Sequence, residues 1–187
     1  MKRQKSEEAS RDIPVRMVSR EDLERQVVGL VYDDRMLLHH CPWDPHHIES
    51  PDRLSGIWER CTELGLVERC LRLDSRLATE EELGLYHSQS FVSKFRELGQ
   101  TSDGQYSVEE VEAECREFDS VYMCQDTDQA ARLAAGSSVE LVSRVLDNEV
   151  QCGLGLVRPP GHHAMADTPC GFCGFNNIVI AAKSALQ

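Results

Sequence analysis

The chain has 187 residues, 41% of them hydrophobic and 28% charged, enough for about one domain with a sizeable core. Its formal charge of −12 comes from 32 acidic against 20 basic residues, which argues against direct nucleic acid binding and suits a cationic substrate better. No apolar run approaches the ~18 residues of a membrane span, and MKRQKSEEASRD has no apolar signal-peptide core, so an intracellular location is expected.

Residues 1–26 are charged and without sustained periodicity, and read as a flexible leader. VVGLVYD, residues 27–33, is a β-branched run expected to open the domain as a strand buried on both faces. The His- and Pro-rich loop RMLLHHCPWDPHHIESPDR follows, long for a plain connection. It leads into LSGIWERCTELGL, a predicted helix with Leu54, Ile57, Cys61 and Leu64 on one face.

CLRLDS is a predicted strand, Thr79 a predicted cap for the acidic helix start EEELGLYHS, and Ser90 a predicted cap for FVSKFRELG. Residues 99–117 are polar and read as a surface excursion, and FDSVYMC as a short strand. TDQAARLAAGSSVELVSRVLDNE is the longest predicted helix, with Ala131, Ala134, Ala135, Val139, Val142 and Leu146 available for packing. GLGLVRP reads as a strand ended by two prolines, and NNIVIAAKSALQ as a helix supported at its start by asparagine. Alternating strands and helices predict an α/β fold with a mostly parallel sheet.

In such a sheet ligands bind beside the loops leaving the carboxyl ends of strands, and RPPGHHA leaves GLGLV. Pro159 and Pro160 stiffen that exit, Gly161 permits a turn, and His162 and His163 are presented on it. Adjacent side chains diverge, so the pair is better suited to proton transfer around a reacting centre than to holding one metal. The alternative is a pair of loop histidines bonded to backbone carbonyls.

Cys170 and Cys173 have C-x-x-C spacing, open to zinc, redox or plain packing, and most of the eight cysteines are expected to be reduced thiols. Asp44 and His46 have the spacing of a ligand pair but equally of a polar surface loop. Arg53 is placed either to tie its loop down through backbone carbonyls or to line a polar cavity.

RPPGHHA followed by GFCGFNN resembles the zinc-dependent histone deacetylases, in particular their class IIb branch. GLVYDDRMLLHHCPWDPHHIESPDRL, LGLVERCLRL, ATEEELGLYHSQSFV, FDSVYMC and LAAGSSVELVSRVL resemble further family segments in order, so the likeness covers residues 27–187. It implies the arginase/deacetylase-type three-layer fold, of which this chain carries the N-terminal part, and hydrolysis of N-acetyl-lysine in histones, tubulin or other acetylated cytoplasmic proteins. Acetylated polyamines also suit members of this branch. It further implies a cytoplasmic, and in part nuclear, location.

By the resemblance, His163 is the general base and acid, and His162 the companion that stabilises developing charge. Phe172 is a tunnel wall, Gly171 offers its carbonyl to the acetamide N–H, and Ser120 binds the substrate backbone at the rim. His46 and His47 belong to the entrance loop and Arg53 to the acetate channel. The zinc ligands are expected beyond residue 187, with none in this chain, so the chain alone is expected to be inactive; a noncatalytic binding or regulatory product is the alternative.

Overall fold

The computed structural model describes residues 27–99 and 106–187, so the expected leader over 1–26 lies outside the described residues. Strand β1 (Val28–Tyr32) is central, flanked by β2 (Cys70–Arg72) and β3 (Cys152–Leu156), all parallel. Val28 lies opposite Cys70 on one side and Cys152 on the other, which aligns the strands' carboxyl ends. The middle of β1 is buried as its apolar run predicts, whereas β3, at the edge, is exposed over its first three residues.

Helix α1 (Asp52–Glu63) lies between β1 and β2, and among the described residues four α-helices lie between β2 and β3: α2 (Glu80–Leu83), α3 (Gln89–Leu98), α4 (Val108–Cys115) and α5 (Thr127–Leu146). Helix α6 (Asn177–Ala185) follows the His loop. The alanines of α5 let it pack closely on α6 and against β1 and β3, with Ala130, Ala131, Leu133, Ala134 and Ala135 buried. It therefore serves two cores: one on the sheet with Leu30, Met36, Leu54 and Leu156, the other among helices with Phe91, Phe95, Met123, Phe175 and Ile180. Each such side chain contributes about 1.5–3 kcal/mol by leaving water.

The arrangement is the α/β parallel-sheet fold expected, and no described helix is long and apolar enough to cross a membrane. Four local expectations change. FDSVYMC forms no strand: residues 119–120 turn and 121–124 run without a ladder. The polar stretch before it contains α4, opened by a Ser107/Glu110 capping box and anchored by buried Val111 and Cys115. The cap of α3 is Ser88, whose Oγ accepts the Phe91 N–H at 3.3 Å, with Ser90 inside the first turn. On α1 only Leu54 is buried, and Ile57 and Leu64 face solvent.

Candidate active site

Three loops meet above the carboxyl ends of the strands: the one after β1, the turn at 119–122, and the one after β3 that carries the His pair. His162 and His163 are both exposed, with ring centroids 4.1 Å apart and planes inclined at 51°. Their backbone is held more firmly than their rings. An added Cβ on Gly161 would stand 2.5 Å from the Phe175 carbonyl oxygen and 2.6 Å from the Asn177 nitrogen, so close approach, not a left-handed turn, demands glycine there.

Behind His163 comes a tight hairpin in which the Cys170 N–H donates to the Cys173 carbonyl at 3.2 Å and the Cys173 N–H to the Cys170 carbonyl at 2.9 Å. At its tip Gly171 (φ 54°) and Phe172 (φ 68°) are both left-handed. An added Cβ on Gly171 would lie 2.9 Å from His163 Cδ2, so the glycine lets the hairpin lean on the imidazole. Ser120 (φ 57°) is left-handed too, and the two segments are stitched together: the Gly171 N–H donates to the Asp119 carbonyl at 2.8 Å and the Phe172 N–H to the Ser120 carbonyl at 2.9 Å. A left-handed backbone at a non-glycine residue costs about 1–3 kcal/mol, and such positions cluster at functional sites. Here Ser120 and Phe172 bond each other beside the His pair.

The structure thus gathers His162, His163, Gly171, Phe172 and Ser120 in one place. The Gly171 carbonyl accepts the Cys173 thiol at 3.4 Å, and the Ser120 hydroxyl donates to Asp119 Oδ1 at 2.8 Å. His47 joins them, its ring edge-on to Phe172 at 5.6 Å and to Tyr122 at 4.7 Å, while its Nδ1 accepts the Glu49 N–H at 3.2 Å. His46 stays exposed, and the Asp44 carboxylate accepts the His46 N–H at 3.0 Å, which makes Asp44 a loop cap.

Arg53 bonds the Val157 carbonyl at 3.3 Å and lies 3.7 Å from the Glu49 carboxylate, so it ties its loop to the exit of β3. Cys170 and Cys173 are free thiols. Burial pushes the Cys173 thiol up, opposite to the activation a redox cysteine needs, and its sulfur accepts the His163 N–H at 3.4 Å. Its role in this site is packing beneath His163.

Sequence reasoning missed the residues that hold these loops. Arg158 is fully buried, and its guanidinium bonds both oxygens of buried Glu49 at 2.9 Å, the Tyr122 hydroxyl at 2.6 Å, the Met36 carbonyl at 3.2 Å and the His39 carbonyl. The Tyr122 hydroxyl in turn donates to Glu49 Oε2 at 2.5 Å, and burial, then that bond, raises its pKa. His39 stacks on Tyr122 at 4.6 Å, shares a 2.8 Å hydrogen bond with the Thr127 hydroxyl, and is kept neutral by burial and by nearby Arg158. His87, also buried and pushed down by desolvation, bridges the Ala166 carbonyl at 3.0 Å and the Asn176 N–H at 2.9 Å. It fixes the far end of the His loop to the start of α6.

The histone deacetylase domain model matches residues 47–187. The chain belongs to the histone deacetylase family. It is 46% identical over 164 residues to human polyamine deacetylase HDAC10, covering 85% of this chain and 23% of that protein. It is 39% identical over 160 residues to histone deacetylase 5 of Arabidopsis thaliana, covering 86% of this chain and 24% of that protein. The crystal structure of the HDA15 HD domain superposes with a TM-score of 0.73 at 34% identity, covering 86% of this chain and 43% of that one. The chain therefore spans about a quarter of the length of these curated deacetylases, and its fold is that of the N-terminal part of the deacetylase domain.

Histone deacetylases are in general zinc-dependent. Among the described residues no three His, Cys, Asp or Glu side chains converge to hold a metal ion. The described residues therefore do not by themselves make up a zinc site.

Proposed function

We propose that the protein is a deacetylase that hydrolyses the acetamide of N-acetyl-lysine in proteins. The observation that carries this reading is the contact of the Gly171–Phe172 hairpin with the His163 ring, with Ser120 bonded to the same hairpin. An exposed imidazole with an aromatic residue and a serine on the segments beside it supports this reading, because a long apolar stem ending in an amide needs an apolar wall, a polar rim and a proton-transfer group.

In this reading His163 takes the proton of the attacking water and returns it to the departing amine as the C–N bond breaks. His162, its ring 4.1 Å away, stabilises the charge that develops. Phe172 lies along the aliphatic stem, the Gly171 carbonyl accepts the acetamide N–H, and the Ser120 hydroxyl meets the substrate backbone. Arg53 borders the path by which acetate leaves. Acetylated histones, tubulin or other cytoplasmic proteins are the proposed partners, and the charge of −12 favours their cationic segments.

The 46% identity to a polyamine deacetylase favours a second substrate reading, an acetylated polyamine. The experiment is to measure zinc content and acetate release for the purified 187-residue chain and for a form extended at its C-terminus, each with an acetyl-lysine peptide and with N-acetylspermidine. We expect zinc and turnover in the extended form alone, with the peptide preferred and His163→Ala inactive. Turnover of N-acetylspermidine alone would move the substrate to polyamines; a fully active His163→Ala form would overturn the assignment of the base.

A further inference from the structure

The cluster of Arg158, Glu49 and Tyr122 is unexpected on energetic grounds. Burying an ion pair costs several kcal/mol per ion, and an apolar replacement of similar volume is often as stable or more so. Stability alone therefore gives little reason to keep a fully buried arginine at the exit of β3. Its location supplies one. Arg158 begins the Pro159–Pro160–Gly161 segment that ends in the His pair, Glu49 lies two residues beyond His47, and Tyr122 two beyond Ser120.

Each member thus holds one wall of the site. The Arg158 fork grips both Glu49 oxygens, which fixes the His ledge against the entrance loop. Tyr122 Oη accepts from Arg158 and donates to Glu49, which fixes the rim turn against both. From Tyr122 two routes reach Phe172: the ring of His47, edge-on to both, and the Ser120 carbonyl that accepts the Phe172 N–H.

We propose that Arg158, Glu49 and Tyr122 are positioning residues that set the distance between the His162–His163 ledge and the Phe172 wall. The proposal rests on the deacetylase reading for its effect on turnover, but the geometry it asserts can be read without turnover.

The test uses Tyr122→Phe, which removes one hydroxyl and keeps the ring against His39 and His47, and Glu49→Gln, which keeps shape and loses charge. Val139→Ala, a core truncation in α5, controls for general destabilisation. All are made in the C-terminally extended form, loaded with zinc. We expect kcat on an acetyl-lysine peptide to fall about ten- to a hundredfold in both variants, since displacement of a reacting group by about 1 Å has effects of this size, with KM within about twofold. In parallel the His162 and His163 ring Cε1–H resonances should shift in both variants and stay in place in Val139→Ala.

Unchanged resonances, or a kcat loss matched by Val139→Ala, would overturn the proposal. If His163→Ala retains full turnover while the resonances still move in Tyr122→Phe, the deacetylase assignment of His163 fails and the positioning role stands.

Discussion

The ledge of His162 and His163 and the knot of Arg158, Glu49 and Tyr122 adjoin at Arg158, four residues before His162, yet are built on opposite terms. The ledge is exposed, and its shape is enforced through the backbone by the crowding at Gly161 and Gly171. The knot is buried, every guanidinium nitrogen is bonded, and its shape is enforced by side chains from three loops. Exposed rings cannot also be locked by burial, so the side-chain locking beside them is done at Arg158, four residues upstream, by partners from two other loops.

That contrast can be broken most sharply at the ledge. His163→Ala should lower hydrolysis of an acetyl-lysine peptide by about 10²–10⁴-fold, the usual contribution of a general acid–base, while the melting temperature stays nearly constant because the ring is exposed. Arg158→Met should do the reverse first: it takes the close two-pronged partner from the buried Glu49 carboxylate, leaving Arg53 at 3.7 Å and the Tyr122 hydroxyl, and should cost about 3–5 kcal/mol in urea unfolding. Adding Glu49→Leu should recover a large part of that loss, since the buried carboxylate that lost its close cation is gone.

Gly171→Ala sits between the two regions. Its Cβ would press on the His163 ring and its φ of 54° would be strained, so a loss of about 1–2 kcal/mol is expected by thermal unfolding. Acidification sharpens the buried side. His39 and His87 are held below the ordinary imidazole range, so the unfolded chain binds protons more readily than the folded one. Their contribution is complete above the unfolded pKa of about 6.5 and is lost as pH falls below it, by up to about 1.4 kcal/mol per pH unit for each. Denaturant titrations across that range should show this slope, and His87→Gln should reduce it. Smallest of all, Ser88→Ala should cost about 1 kcal/mol by removing the cap of α3, whereas Ser90→Ala should cost less.

The ledge was legible in the sequence and the knot was not. His162 and His163 announce themselves because a proline pair and a glycine frame them at a strand exit. β1 and α5 were equally plain, one an unbroken β-branched run and the other a long alanine-rich period. Glu49 and Arg158 are 109 residues apart, and no periodicity connects a lone glutamate in a His/Pro loop to an arginine before two prolines. The signal available was an arginine at the end of an apolar strand, where an unpaired charge could not stay.

FDSVYMC was misread for a related reason. Its apolar run over residues 121–124 suits a strand, but the backbone just before that run bonds the hairpin at 171–172, not a neighbouring strand. Helix α4 was hidden by its polar composition, although Ser107 and Glu110 carry the capping-box spacing that marks its start.

The stitching of Asp119 and Ser120 to Gly171 and Phe172 runs through main-chain atoms on both sides. Amino-acid exchange at Asp119 can therefore leave those two bonds intact, while inserting or deleting one residue between Phe118 and Tyr122 would shift the carbonyls out of register with the hairpin. Along this part of the chain, length is under tighter constraint than spelling.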